Sequence, residues 1–493
     1  MNRITLTSVL AMAATLLAGC TVGPDFKRPE SPYADRYTSQ PLNLERKNSR
    51  VASAQQIILG KQLDQAWWQL FQSDALNNVI KRALTQNRTI VAARYTLAQA
   101  QDLVAAQTGA LSPQVGITGG VGREKYGAEF LGTSPKPPPF TYFAVEPTVS
   151  YSLDYTGGAA RSVEQQEAKA NYQKQQLKAA YLAVSGNAVL QSLRIASLRS
   201  QIATLQALLE EDQANLKLVH EAFDAGAVSR FDIVSAESQL STDNALLPPL
   251  HQKLSLAQHA LAILLGQAPA DGAVPEVDLA LLTLPPQLPV SLPSELVHQR
   301  PDILAAEAEL HTATAAVGVA TANLYPHIDI SASFSQQSTV FSQLFSPGSS
   351  AWSLAGGLVA PIFNGGTLRA QRRAAVDAMQ ASAAKYQQTV LSAFGQVADS
   401  LHALEHDAEA LDAQGHAQHA ARNSLNLMRQ SYQEGNIGVL QVLDAERHYQ
   451  QAKLAYVRVS AERYMDTAQL FLALGGSGPE VDAHLGKGTK RSD

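Results

Sequence analysis

Four landmarks recur in the same order about 210 residues apart, and this duplication limits the architecture more than any other feature of the chain. Leu111-Ser-Pro113 returns as Leu324-Tyr-Pro326, an offset of 213. "YTGGAAR" (155–161) returns as "FNGGTLR" (363–369), 208 apart when Gly158 is set on Gly366. "FDAGAVSRFDIVSAES" (223–238) returns as "YQEGNIGVLQVLDAER" (432–447), and "LLG" (264–266) as "ALG" (473–475), both at 209. The change of offset falls between the proline and the paired glycines, where loop length is free to vary. Each half is therefore read as one unit, over 74–266 and 295–475.

Within each half, the stretch between the proline and the paired glycines (113–156 and 326–364) alternates with period two. Phe143, Val145, Pro147, Val149, Tyr151 and Leu153 are apolar, and the residues between them are small or polar. Val115, Ile117 and Val121 precede them in the same rhythm. Ile328, Ile330, Ala332 and Phe334, then Trp352, Leu354, Gly356, Leu358 and Ile362, repeat it. One greasy and one polar face suit a barrel wall between lipid and water, and equally one layer of a soluble two-layer sheet. Four such strands cannot close a membrane barrel alone, since the smallest bacterial barrels have about eight. Three copies give twelve.

The strands are flanked by helical sequence. Gly158 to about Ala222 contains no proline, and Leu198, Ile202, Leu205, Leu209 and Leu216 step by 4, 3, 4 and 7 residues. Thr367 to about Gln433 behaves likewise, with Leu401, Leu404 and Leu411, then Leu425, Met428 and Tyr432. About 64 residues make a helix of ~95 Å, three times the hydrocarbon thickness of a bilayer. Such helices project away from a membrane. Each ends at a glycine, Gly226 or Gly435, and the chain returns over 229–265 and 437–474, with "LLPPL" (246–250) interrupting the first return. Shorter helices over 74–109 and 295–323 complete the halves.

The start of the chain places it. An apolar run of about fourteen residues, too short to span a bilayer, ends at Leu17-Ala18-Gly19-Cys20. This resembles a bacterial lipobox: a signal peptide over 1–19, then a lipid-bearing Cys20, the only cysteine of the chain. Thr21 follows in place of an Asp that would hold a lipoprotein in the inner membrane, so the outer membrane is expected. An extended N-terminal segment (20–73), a proline-rich linker (267–294) and a flexible tail (476–493) frame the halves. A net charge of −5, with 16% charged residues, leaves no nucleic-acid footprint.

"CTVGPDFKRP", "WWQLFQSDALNNVIKRALTQN" (67–87), "QRPDI" (299–303), "APIFNGGTLRA" (360–370) and the glycine turns resemble, in order, the motifs of TolC-type outer-membrane efflux factors in their lipoprotein branch. The resemblance covers about 16–475. It implies an α+β membrane protein: a homotrimer with a twelve-stranded outer-membrane β-barrel, four strands per chain, continuing into a periplasmic α-helical tunnel of coiled-coil hairpins. It further implies a passive exit duct for small molecules such as drugs, served by a periplasmic adaptor and an inner-membrane RND-type pump. By the same resemblance Gly226 and Gly435 sit in adaptor-contacting turns, and Asp232, Tyr432 and Asp444 line or latch the closed tip. Gln441 stands where some relatives carry a second acid. On the residues alone, Asp232 and Asp444 also read as solvated acids favourable to a helix start.

No nucleophile–base set or phosphate loop emerges. "TGGVG" (118–122) sits inside a strand with no helix or lysine behind it. His402/His406 and His416/His419 have the spacing of zinc-binding pairs, and equally of ordinary helix histidines. No enzyme activity, cofactor or metal is expected beyond the lipid on Cys20. A periplasmic adaptor would carry one hairpin and no strand pairs, whereas both features occur twice here. A type I protein-secretion duct shares the fold, and the lipobox and "QRPDI" favour the small-molecule branch.

Overall fold

The computed structural model describes residues 21–30, 34, 36–39, 55–64, 66–127, 138–270 and 275–476; the signal peptide, Cys20 and most of the tail lie outside the described residues. The chain divides into two compact units, one of residues 1–29, 97–173 and 306–386, the other of 30–96, 174–305 and 387–493.

The first unit holds a four-stranded antiparallel sheet in the order β2 (Gln114–Glu124), β3 (Phe140–Leu153), β5 (His327–Ser338), β6 (Ser350–Val359). Its register gathers every alternating apolar residue on one face. Val115 pairs with Val149, Val149 with Ala332 and Ala332 with Leu354, while Phe334 meets Trp352 and Ile328 meets Leu358. The opposite face carries Gly116, Thr148, Ser333 and Ser353, and the two serine hydroxyls lie 2.9 Å apart. Among the described residues Phe341 packs edge-on against Phe143 at 5.3 Å, and most of the rest of that face is open. Trp352 is 77% exposed, Val115 76% and Leu354 71%. β2 and β6 are edges, so each leaves a row of backbone groups unpaired.

The sheet is tied to its neighbouring helices by close backbone approach. Asp154 caps α3 (Gly158–Asp224), accepting from the amides of Ala159 and Ala160 at 3.0 and 2.8 Å. Residues 22–28 form a strap against α3 and α7 (Pro301–Ala322). The Val22 amide donates to the Thr156 carbonyl at 3.0 Å, and Arg161 holds both Asp25 and Glu164. Phe26 stacks on His311 at 4.2 Å, and Arg28 pairs with Glu307. A side chain at Gly23 would collide with the backbone of Gly318, 2.5 Å from its Cα. "VGPDF" is thus the strap's own fitting.

The second unit is helical. Its parts are α1 (Asp74–Gln86), the start of α2 (Arg88–Gly109), most of α3, then α4 (Arg230–Asn244), α5 (Leu247–Leu264), the single turn α6 (Pro293–Leu296), α8 (Thr367–Gln433) from residue 387 onward and all of α9 (Val439–Ala473). α3 and α8 are each 67 residues long, and their starts and ends both lie 209 apart. Positive φ at Gly157 and Gly366 sets those two glycines in register, correcting the match of Gly158 with Gly366. The expected seam is buried: Leu205 is fully covered, and Leu205, Leu208 and Leu209 pack with Leu240, Leu247 and Leu250. Tyr432, expected to continue the second seam, is instead 48% exposed beside the turn.

Other expectations need amending. The helix over 74–109 breaks at Asn87, whose side chain accepts from the amides of Thr89 and Ile90 and so starts a new helix. The helix over 295–323 begins only at Pro301, a residue favoured in a first helical turn. The linker and the N-terminal segment are not wholly extended. β1 (Gln56–Leu59) pairs in parallel with β4 (Gln287–Val290), and a 3₁₀ turn buries Trp67 and Phe71 against Phe471. "LLPPL" behaves as expected, with both prolines in the first turn of α5.

Candidate functional site: the helical tips

Both long helices end in the same turn. At the first, Gly226 has φ +76° and its amide donates to Phe223, while the Ala227 amide donates to Ala222 at 2.8 Å. At the second, Gly435 has φ +74°, its amide donates to Tyr432, and the Asn436 amide donates to Ser431 at 2.9 Å. This is the Schellman ending, in which a left-handed residue lets the chain satisfy the last carbonyls and turn back. No atom lies within 4 Å of a Cβ built at either glycine, so backbone conformation and not crowding requires glycine there.

The return helices then place the expected acids. Asp232 is the third residue of α4, and its Oδ2 accepts from the Ser229 amide at 2.7 Å and the Ser229 hydroxyl at 2.8 Å. These bonds hold its carboxyl below the usual range. Within this chain Asp232 is therefore engaged in starting its own helix. Asp444 is exposed on α9, 3.5 Å from His448 and 4.0 Å from Arg447. Asp232 and Asp444 share the wall of one groove of about 270 Å³, lined also by Asp212, Asn215, Gln239 and Arg447. Tyr432 is not among the residues lining it. Gln441 and Asp444 line a second groove, with Met428, Leu440 and His448.

Several charged residues at the tips were missed by counting apolar steps. Arg447 on α9 donates to Gln239 on α4 at 3.0 Å, and Gln450 on α9 donates to Glu211 on α3 at 2.9 Å. Arg429 on α8 pairs with Glu446 on α9 at 2.6 Å. Asp212 and Asp243 are buried between α3 and α4. The signal was the seven-residue step from Leu209 to Leu216, which leaves the seam position between them to Asp212. The histidine pairs carry their own partners: His402 lies 3.4 Å from Glu405 and His406 3.6 Å from Glu409. No metal cluster of three or more ligands occurs among the described residues.

The remaining motif is a structural clamp. Arg300 of "QRPDI" is buried, grips Asp302 through two nitrogens, and donates to the Ala473 carbonyl at 2.6 Å and to Gln396. It closes the end of α9.

The sheet with its exposed apolar residues and the long glycine-capped helices are features this chain shares with known outer-membrane channels. The chain belongs to the outer membrane efflux protein family, whose profile matches residues 79–267 and 292–476. It is 28% identical over 479 residues to the probable efflux pump outer membrane protein TtgC of Pseudomonas putida, covering 95% of this chain and 94% of that one. It is 30% identical over 428 residues to the pyoverdine export outer membrane protein OpmQ of the same species, covering 84% and 88%. The solved structure of the outer-membrane channel OprN superposes with a TM-score of 0.82 at 26% identity, over 93% of this chain and 99% of that one. The protein is an outer-membrane efflux channel.

Proposed function

We propose that three copies of this chain close a twelve-stranded barrel in the outer membrane and continue as a helical tunnel, forming the passive exit duct of a tripartite efflux pump. The observation that carries this reading is the four-stranded sheet with a predominantly apolar and largely exposed face and two open edges. In water that face would be costly; in hydrocarbon it is matched. The open edges need strands from other copies, because backbone groups in lipid must be paired. Its two halves are an internal two-fold repeat, supported by the equal helix lengths. Cys20 carries the lipid anchor. The turns at Gly226 and Gly435 contact a periplasmic adaptor, an inner-membrane pump of the RND type supplies the energy, and Asp232, Tyr432 and Asp444 form the periplasmic gate. The cargo is small molecules, in keeping with the export roles named for TtgC and OpmQ. The duct performs no catalysis and uses no cofactor.

Native mass measurement of the detergent-solubilised protein tests the shared barrel. A trimer is expected, and a well-folded monomer overturns the reading. Bilayer recording tests the duct, for which conductance through the purified protein is expected.

A further inference from the structure

The first helical hairpin has a polar layer in an apolar seam. On α3, Leu205, Leu209, Asp212, Leu216 and Val219 alternate steps of 4 and 3; on α4 and into α5, Ile233, Ala236, Leu240, Asp243, Leu247 and Leu250 alternate steps of 3 and 4. Such steps keep one stripe facing the partner helix. Asp212 and Asp243 therefore occupy core positions on facing helices, and they are 8% and 4% exposed. Oδ2 of Asp212 is buried with no hydrogen-bond donor in reach. Asp243 accepts from Gln239 at 2.6 Å, and Gln239 in turn accepts from Arg447. A buried carboxylate facing another carboxylate, with an oxygen lacking a donor, lacks one thing: a proton between them.

We propose that Asp212 and Asp243 form a proton clasp, shut when the pair holds a proton and sprung when both carboxyls ionise, which sets how readily the adjoining tip opens. The link to opening rests on the tip being the gate of the duct. The charged groups facing the pair are Glu211 on α3 and Arg447 on α9, while Glu446 on α9 and Arg429 on α8 act on Glu211 in turn. Asp232 and Asp444 line the same groove as Asp212. Acids outnumber arginines, so a second negative charge at the pair finds little compensation.

Burial, then the contact and charge of Asp243 and the charge of Glu211, push the Asp212 carboxyl up from 3.8 to about 7, with Arg447 pulling the other way. Glu211 is raised as well, by burial and by Glu446, against its bond from Gln450. A folded-state value above the unfolded one means that the clasp contributes fully in acid. Its contribution is lost as pH rises through about 7. The clasp tightens in an acidified periplasm and loosens in an alkaline one.

Hydrogen exchange of the full-length protein, corrected for the intrinsic pH dependence of exchange, reads the clasp directly. Protection of residues 205–250 should fall roughly tenfold for each pH unit as pH rises toward about 7 and level off above it, the factor that one unit of linkage carries. Asp212→Asn supplies a donor without a charge and should flatten that profile, with Asp243→Asn as the second variant should the first fail to assemble. Bilayer conductance of the wild type should rise over the same pH range and stay level in Asp212→Asn. A wild-type pH response retained in both variants overturns the clasp, as does a response that follows added divalent cation and not pH. Absence of conductance at every pH would sink the duct instead and leave the exchange result to decide the clasp.

Discussion

The sheet and the helical hairpins obey their hydrophobic periods equally well, yet they dispose of the apolar face in opposite ways. The hairpins bury theirs inside one chain: Leu205, Leu404 and Val390 are fully covered. The sheet leaves Trp352, Leu354, Val115 and Ile117 more than two-thirds exposed, and beyond it Ile362 is 96% exposed. A helix pair is complete as a two-body contact. A sheet of four strands with open edges needs both a medium and more strands. Period alone thus says that a face is apolar, whereas strand count and exposure say what must cover it.

The largest effect that would break this comparison is a charge on the sheet's apolar face. In the proposed barrel Leu354→Arg should abolish membrane assembly, since arginine at mid-depth on a barrel's lipid face costs ~2–4 kcal/mol for each copy. Membrane fractionation checks it; unimpaired assembly would mean that the face does not meet lipid. Next, Leu205→Ala should destabilise the first hairpin by ~2–5 kcal/mol through a cavity between α3 and α4 while leaving the strands' exchange protection unchanged. Segment-resolved hydrogen exchange separates the two.

A smaller effect concerns Asp407, half-buried on α8 facing Asp466 of α9, where burial and then its contact with Asp466 raise the carboxyl to about 8. The sign follows from a folded value above the usual 3.8: stability is present in acid and lost as pH rises through about 8. Asp407→Asn should therefore raise the melting temperature at about pH 9 and leave it nearly unchanged at about pH 3, below the carboxyl's unfolded value. Equal shifts at both would assign the effect to packing. The smallest expected changes are functional ones at the tip. If three copies close the tip as proposed, Asp444→Ala should weaken block by millimolar divalent cations, because the proposed carboxylate ring is removed. Removing Asp232 and Tyr432 together should raise basal conductance. Since Asp232 already binds Ser229 in its own turn, a null result there would leave it as a helix cap and nothing more.

The elements that span many periods were legible in the chain. The bounds of α8, the four long strands, the glycine turns and the proline break before α5 all carried either a sustained period or a residue with one permitted backbone geometry. What escaped was short or polar. β1 and β4 have four residues each, too few for a period to declare itself, and their pairing joins residues 231 apart. The break at Asn87 depends on one side chain turning back on its own backbone. Asp212, Asp243 and Asp407 escaped for a different reason: a count of leucines passes over an acid that stands in a leucine's place. Of the expected gate, the glycine turns are where the sequence put them, and Asp232 and Asp444 share a groove. Whether three copies bring these acids together is a property of an assembly, which one chain's sequence does not encode locally.

The equal lengths of α3 and α8 have a consequence for how this chain can change over generations. The strand hairpins differ between the halves, since the offset passes from 213 at the start of the strands, Gln114 against His327, to 209 at the start of the long helices, Gly158 against Thr367. Loops there absorb insertions. A residue added to one 67-residue helix would swing its glycine cap by about 100° and carry it about 1.5 Å onward, leaving its twin behind. The helices therefore act as paired rulers. Between the two halves of this chain the difference in length falls in the strand hairpins, and the turns at Gly226 and Gly435 stay in step.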